Sequence, residues 1–173
     1  MLERVECLIS EINKIQSNYV RDYFKTGKVK QVDLSQPLSE VSLSDILKYR
    51  LTLHESLNDY LIFADLGTTD FQYRVKSSEA IREKVERFSQ APYPTGVILN
   101  DILGFRMTLS DTELGKLFSQ LTIWKESFGL INWEVNYAQN NITVSFYFKG
   151  KHKFDYPWEL QIWDEKAKQS LLN

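Results

Sequence analysis

Asp70-Phe71-Gln72-Tyr73-Arg74-Val75-Lys76-Ser77 is the stretch on which the reading of this chain turns. Phe71, Tyr73 and Val75 alternate with Gln72, Arg74 and Lys76, the two-residue period of a half-buried strand. Ser77 is a helix N-cap type, and the pattern after it predicts a helix to about Phe88. Arg74 and Lys76 therefore share one strand face that leads into a helix start, where free N–H groups and the positive dipole end suit phosphate. Further along, Lys84 and Arg87 lie one turn apart and extend the same basic wall. Two readings stand at this point: a phosphate site, or a solvated edge strand with two exposed cations.

Downstream, Pro92, Pro94 and Gly96 mark a loop before a strand over Ile102 to Leu109. Asp101 stands at the entrance of that strand and Gly104 inside it. An interior glycine weakens a strand and indicates close approach of another group, and a carboxylate at a strand end suits Mg²⁺, which takes one or two carboxylates together with phosphate oxygens. A loop-terminating Asp and a bulge Gly are the plain alternatives. Ser110 and Glu113 have capping-box spacing and predict a helix to about Lys125, which Gly129 ends. Leu130–Tyr137, Ile142–Phe148 and Tyr156–Trp163 read as three further strands, with Asn140-Asn141 as a hairpin turn.

In the last strand Trp158, Leu160 and Ile162 alternate with Glu159, Gln161 and Trp163. One face is core, and the other carries an acid and an amide in mid-sheet, where polar groups need partners or a ligand. Glu159 is a second candidate carboxylate for a metal, or a base for a hydroxyl nucleophile, unless it simply faces solvent. The basic turn Lys149-Gly150-Lys151-His152-Lys153 precedes it. His54 and His152 are isolated and receive no role.

Upstream, Leu2, Val5, Leu8, Ile9, Ile12, Ile15, Tyr19 and Tyr23 form the apolar face of a helix to about Phe24. A polar stretch from Thr26 to Ser39 breaks the pattern. Ser42 with Asp45 then starts a second helix, expected to reach about Ala64. Cys7, the single cysteine, cannot form an internal disulfide and is read as a packed helical thiol in a reducing compartment.

The order is two helices, then strand, helix, strand, helix and three strands, which predicts an α+β fold with a mixed five-stranded sheet flanked by helices. Residues 1–69 read as a helical extension packed on the same domain, and 70–173 as its core. The chain has 173 residues, 43% hydrophobic and 25% charged, enough for one domain with a real core. A net charge of −2 argues against a duplex nucleic-acid coat. No apolar run is long enough for a bilayer and the first residues lack signal-peptide character, so no membrane partner and a cytoplasmic location are expected.

Taken in order, Arg74-x-Lys76-Ser77, Asp101-x-x-Gly104-x-Arg106 and Glu159-x-Gln161 resemble the synthetase domain of the RelA/SpoT family, over about Phe71 to Asp164. Members are GTP pyrophosphokinases that make guanosine tetra- and pentaphosphate. The resemblance implies a nucleotidyltransferase-like fold, with ATP and a guanosine nucleotide (GDP or GTP) as substrates and Mg²⁺ as cofactor. It implies donor binding by Arg74, Lys76, Lys84, Arg87 and Arg106, and Mg²⁺ binding and catalysis by Asp101 and Glu159. Lys149 and Gln161 would lie on the acceptor side, and a homo-oligomer is an open expectation.

The sequence departs from the family pattern where members carry a glycine-tyrosine pair and a histidine four residues on. Asn140, Asn141 and Ser145 stand at those positions, and Ala80 replaces a frequent serine. Loss of an aromatic platform removes ~1–3 kcal/mol of base stacking. A pyrophosphokinase with a different acceptor and a catalytically quiet nucleotide- or protein-binding relative are the competing readings.

Overall fold

Val5, Leu8, Ile9, Ile12 and Tyr19, all buried, hold the long first helix α1 (Leu2–Lys25) against the rest of the molecule. The computed structural model describes residues 2–25, 30–67, 69–138 and 141–165, so Asn140 of the expected hairpin turn lies outside the described residues. Cys7 corrects the sequence reading. It points away from the apolar stripe of α1 and is exposed, with Sγ 3.6 Å from the Asp65 carbonyl.

Helix α2 (Leu43–Ile62) starts as expected, Ser42 Oγ accepting the Asp45 N–H at 3.2 Å, and buries Ile46, Tyr49, Leu53 and Leu57. Strand β1 (Gln72–Val75) follows, but it is an exposed edge rather than a half-buried strand. Ser77 caps α3 (Ser78–Phe88) through the Ala80 N–H at 3.1 Å. The Pro92–Gly96 loop runs into one helical turn, α4 (Thr95–Ile98), before strand β2 (Leu103–Leu109).

The single helix expected after Ser110 is two, α5 (Asp111–Leu117) and α6 (Leu121–Ser127), separated by a 3₁₀ turn at Phe118–Gln120. Ser119 Oγ donates to the Lys116 carbonyl at 2.7 Å within that turn. Such local side-chain bonds compete with the regular helix ladder, and this is where the path bends. Strands β3 (Leu130–Ala138), β4 (Asn141–Phe148) and β5 (Trp158–Asp164) complete the chain.

The sheet is five-stranded and mixed, in the order β1-β2-β5-β4-β3, with only the β2–β5 pair parallel. A parallel pair needs a long crossover, which α5, α6 and the β3–β4 hairpin provide. One sheet face carries Phe105, Met107, Phe146, Phe148, Trp158, Leu160 and Ile162 into a core shared with α1 and α2. Each such side chain contributes about 1.5–3 kcal/mol on burial. Alternation sends Arg74, Gly104, Arg106, Ser145, Tyr147, Glu159 and Gln161 to the opposite face. Among the described residues, no helix is long and apolar enough to cross a membrane.

Candidate functional site

Strand register builds the site. Arg74 pairs with Gly104, Gly104 with Glu159, and Glu159 with Tyr147, so these four positions form one row across β1, β2, β5 and β4. The next row runs Gln72, Arg106, Gln161 and Ser145. Gly104 leaves room in the middle of the first row. A Cβ there would lie 3.5 Å from Arg74 Nε and 3.6 Å from Glu159 Oε2, filling the floor of a cavity of about 100 Å³.

Asp101 sits just before β2 and is reached by three cations. Lys84 Nζ is 3.0 Å from Oδ1, while Oδ2 takes Lys76 Nζ by a short hydrogen bond and lies 3.8 Å from Arg74 Nη2. Two backbone contacts aim Lys76: its N–H donates to the Ile102 carbonyl at 2.8 Å, and its own carbonyl accepts Arg50 Nε at 2.8 Å. Burial pushes the Asp101 carboxyl up, but the Lys76 hydrogen bond and the Lys84 charge outweigh it and hold the group below the usual carboxylate range.

Arg74 joins the two candidate carboxylates. Its Nη2 lies 3.6 Å from Glu159 Oε2 as well as near Asp101, and its side chain is half-exposed. Glu159 itself is only 4% exposed. Its Oε1 accepts Gln161 Nε2 at 3.1 Å and the Tyr147 hydroxyl at 3.5 Å. Burial, then the charge of Glu159, push the Tyr147 phenol well above its ordinary value, so it remains a donor.

Gln161 is committed at both ends of its amide. Oε1 accepts Arg106 Nε and Nη2 at 3.3 and 3.1 Å and Trp163 Nε1 at 3.4 Å, while Nε2 holds Glu159. Arg106 also lies over the Trp163 ring at 4.0 Å. Burial and the neighbouring Arg74 charge lower the Arg106 guanidinium from its usual value, against a raising effect of Glu159.

The structure thus brings together Arg74, Lys76, Lys84, Asp101, Arg106, Glu159 and Gln161. Two residues named from sequence fall elsewhere. Arg87 is exposed in the last turn of α3 and forms no ion pair among the described residues. Lys149, expected on the acceptor side, lines a different cavity between α1, α6 and the β4–β5 turn. Tyr147 and Trp163 were missed as site residues, although the alternation in β4 and β5 puts both on the polar face.

The donor set suits a magnesium ion. Asp101 and Glu159 converge closely enough for one guanidinium to span both, and Mg²⁺ completes its shell with water and phosphate rather than an all-protein cage. No group of three or more His, Cys, Asp or Glu side chains gathers among the described residues.

No family model matches the chain, and no curated protein matches its sequence. Solved structures do. A GTP pyrophosphokinase family protein from Streptococcus pneumoniae is 16% identical with a TM-score of 0.39, over 75% of this chain and 71% of that one. Small alarmone synthetase 1 from Bacillus subtilis, bound to its product pppGpp, is 15% identical with a TM-score of 0.36, over 72% of each chain. The same enzyme bound to AMPCPP is 17% identical with a TM-score of 0.32, over 73% of this chain and 71% of that one.

Proposed function

We propose that this chain is a pyrophosphokinase of the alarmone-synthetase kind, transferring the β,γ-pyrophosphate of ATP to a nucleotide 3′-hydroxyl, with GDP or GTP as first candidate acceptors. The observation that carries the reading is the convergence of Asp101 and Glu159 on the Arg74 guanidinium, with Lys76 and Lys84 also on Asp101, at the polar face of the sheet. The ordered motif resemblance in the sequence supports the same reading.

In this proposal the acceptor oxygen bonds to Pβ as the bond from Pβ to the α,β-bridging oxygen breaks, and AMP leaves. Glu159 takes the proton of the hydroxyl. Arg74, Lys76 and Lys84 shift from the carboxylates to the donor phosphates, compact ammonium charges and a guanidinium fork serving different oxygens. Arg106, braced by Trp163 and Gln161, presents a guanidinium plane to the donor nucleotide. Asp101 and Glu159 would hold Mg²⁺, which supplies charge neutralisation at the transferring group. Such chemistry needs positioning and charge more than covalent work by the protein. Gln161 acts here by holding Arg106 and Glu159 in place.

One observation favours a second reading, a catalytically quiet nucleotide binder. Ser145, where the family pattern has histidine, is buried at 3% exposure beside Gln161. The two separate in one experiment: γ-labelled ATP and Mg²⁺ are incubated with GDP, GTP or bulk tRNA beside an Asp101→Ala control. Label transfer lost in the control supports the pyrophosphokinase and identifies its acceptor. ATP binding with no transfer to any of the three favours the quiet relative.

A further inference from the structure

The basic turn Lys149-Gly150-Lys151-His152-Lys153 is tied down at several points. The Lys149 N–H donates to the Gly129 carbonyl at 3.0 Å, and the His152 N–H donates to Asp155 Oδ2 at 2.9 Å. At the far end Lys153 Nζ is 2.6 Å from Asp33, and the Lys153 carbonyl accepts the Leu34 N–H at 3.0 Å. The Asp155 side chain packs over Gly150, where a Cβ would fall 2.1 Å from Asp155 Oδ2.

Of the three lysines in the turn, only Lys153 is neutralised. Lys149 and Lys151 form no ion pair with any described residue, nor does Lys125 in the last turn of α6, and all three line one cavity of about 490 Å³. That volume suits a small-molecule ligand. The acids on the same lining are Glu126 and Asp155, and Asp155 is already engaged by the His152 N–H.

The opposite wall is polar but satisfied. Asn13 gives Nδ2 to the Phe128 carbonyl and takes Trp158 Nε1, both at 2.9 Å. Gln16 gives Nε2 to the Tyr156 carbonyl at 3.4 Å and takes the Tyr49 hydroxyl at 3.3 Å. The wall is therefore rigid and complete without a ligand, and the unspent interactions are those of the lysines.

We propose that this cavity is a second anion site, distinct from the carboxylate site, that takes a small phosphorylated molecule. Three compact ammonium charges brought in from two elements match a multiply charged phosphate group, and a turn already fixed by its own hydrogen bonds loses little freedom on binding. The cavity volume and the net charge of −2 favour a small ligand over a nucleic-acid strand.

The test is calorimetry with inorganic triphosphate, without magnesium, on full-length R74Q/K76Q protein, in which the carboxylate site is weakened. Expected is about one triphosphate bound per chain, with affinity reduced tenfold or more by adding K149Q/K151Q, and independently by adding K125Q on the other element. Circular dichroism verifies folding of each variant. No binding in the R74Q/K76Q background, or binding indifferent to all three lysines, overturns the proposal. So does tight binding of a short single-stranded RNA through these lysines that triphosphate cannot displace.

Discussion

Asp101 carries three cations around one carboxylate, and that crowding governs how the fold responds to acid. Its folded-state ionisation lies below the ordinary carboxylate value, so the stabilisation is present above the unfolded pKa of about 3.9 and disappears as pH falls through the lower folded value. At neutral pH Asp101→Asn should lower unfolding free energy by about 1.5–3 kcal/mol, the scale of hydrogen bonds to charged groups. Urea unfolding between pH 7 and 3 should show the difference between the two proteins closing below about pH 4. Arg106→Lys makes a separate prediction, because the guanidinium both forks onto Gln161 and stacks on Trp163. Donor binding should weaken about five- to thirtyfold, on the ~1–2 kcal/mol scale of a desolvated stacked cation, and the melting temperature should fall by a few degrees as the contacts to Gln161 and Trp163 are lost. These central residues were legible in the sequence because strand alternation fixes which side chains share a face. Arg87 and Lys149 were not, since one lies beyond the reach of its helix start and the other follows a turn whose direction no periodicity encodes.

At the level of elements, the α6–β3 connection shows how a single backbone position holds the sheet edge. Gly129 adopts φ +73°, and a Cβ there would lie 2.4 Å from the Lys149 carbonyl oxygen. Gly129→Ala therefore meets both a left-handed backbone and a clash, and should destabilise by about 2 kcal/mol or more. A melting curve should record this as a fall of roughly 4–8 °C for a chain of this size. The sequence announced Gly129 as a helix end, and the Ser110–Glu113 capping box was equally plain, the Ser110 N–H donating to Glu113 Oε2 at 2.6 Å. It did not announce the break between α5 and α6, because the apolar spacing of Leu114, Leu117, Leu121 and Trp124 continues through the turn. Only Ser119, bonding back to Lys116, distinguishes that place, and a serine at a helix interior is too common to locate a bend. The exposure of β1 was hidden for a related reason: alternation names two faces but not whether a neighbour covers either.

Across the whole molecule, charge is distributed against the average. The chain carries −2, yet Arg74, Lys76, Lys84 and Arg106 gather around Asp101 and Glu159 on the polar side of the sheet. In the free protein the two carboxylates partly neutralise this excess, so an incoming polyphosphate competes with them for the same ammonium and guanidinium groups. Binding should therefore respond to ions in the solution. At 0.1 M salt the screening length is about 10 Å, and at 1 M about 3 Å, so partly exposed cations such as Arg74 lose most of their longer-range attraction. Titrating ATP into the protein without magnesium at rising potassium chloride should weaken affinity progressively, several-fold between about 0.05 and 0.5 M. The same titration with Arg74→Gln should start weaker and show a shallower dependence, because the removed charge is the most exposed of the four. An affinity indifferent to salt, or an equal slope in both proteins, would mean that the phosphates do not meet this cationic ring and that the nucleotide is held by another part of the surface.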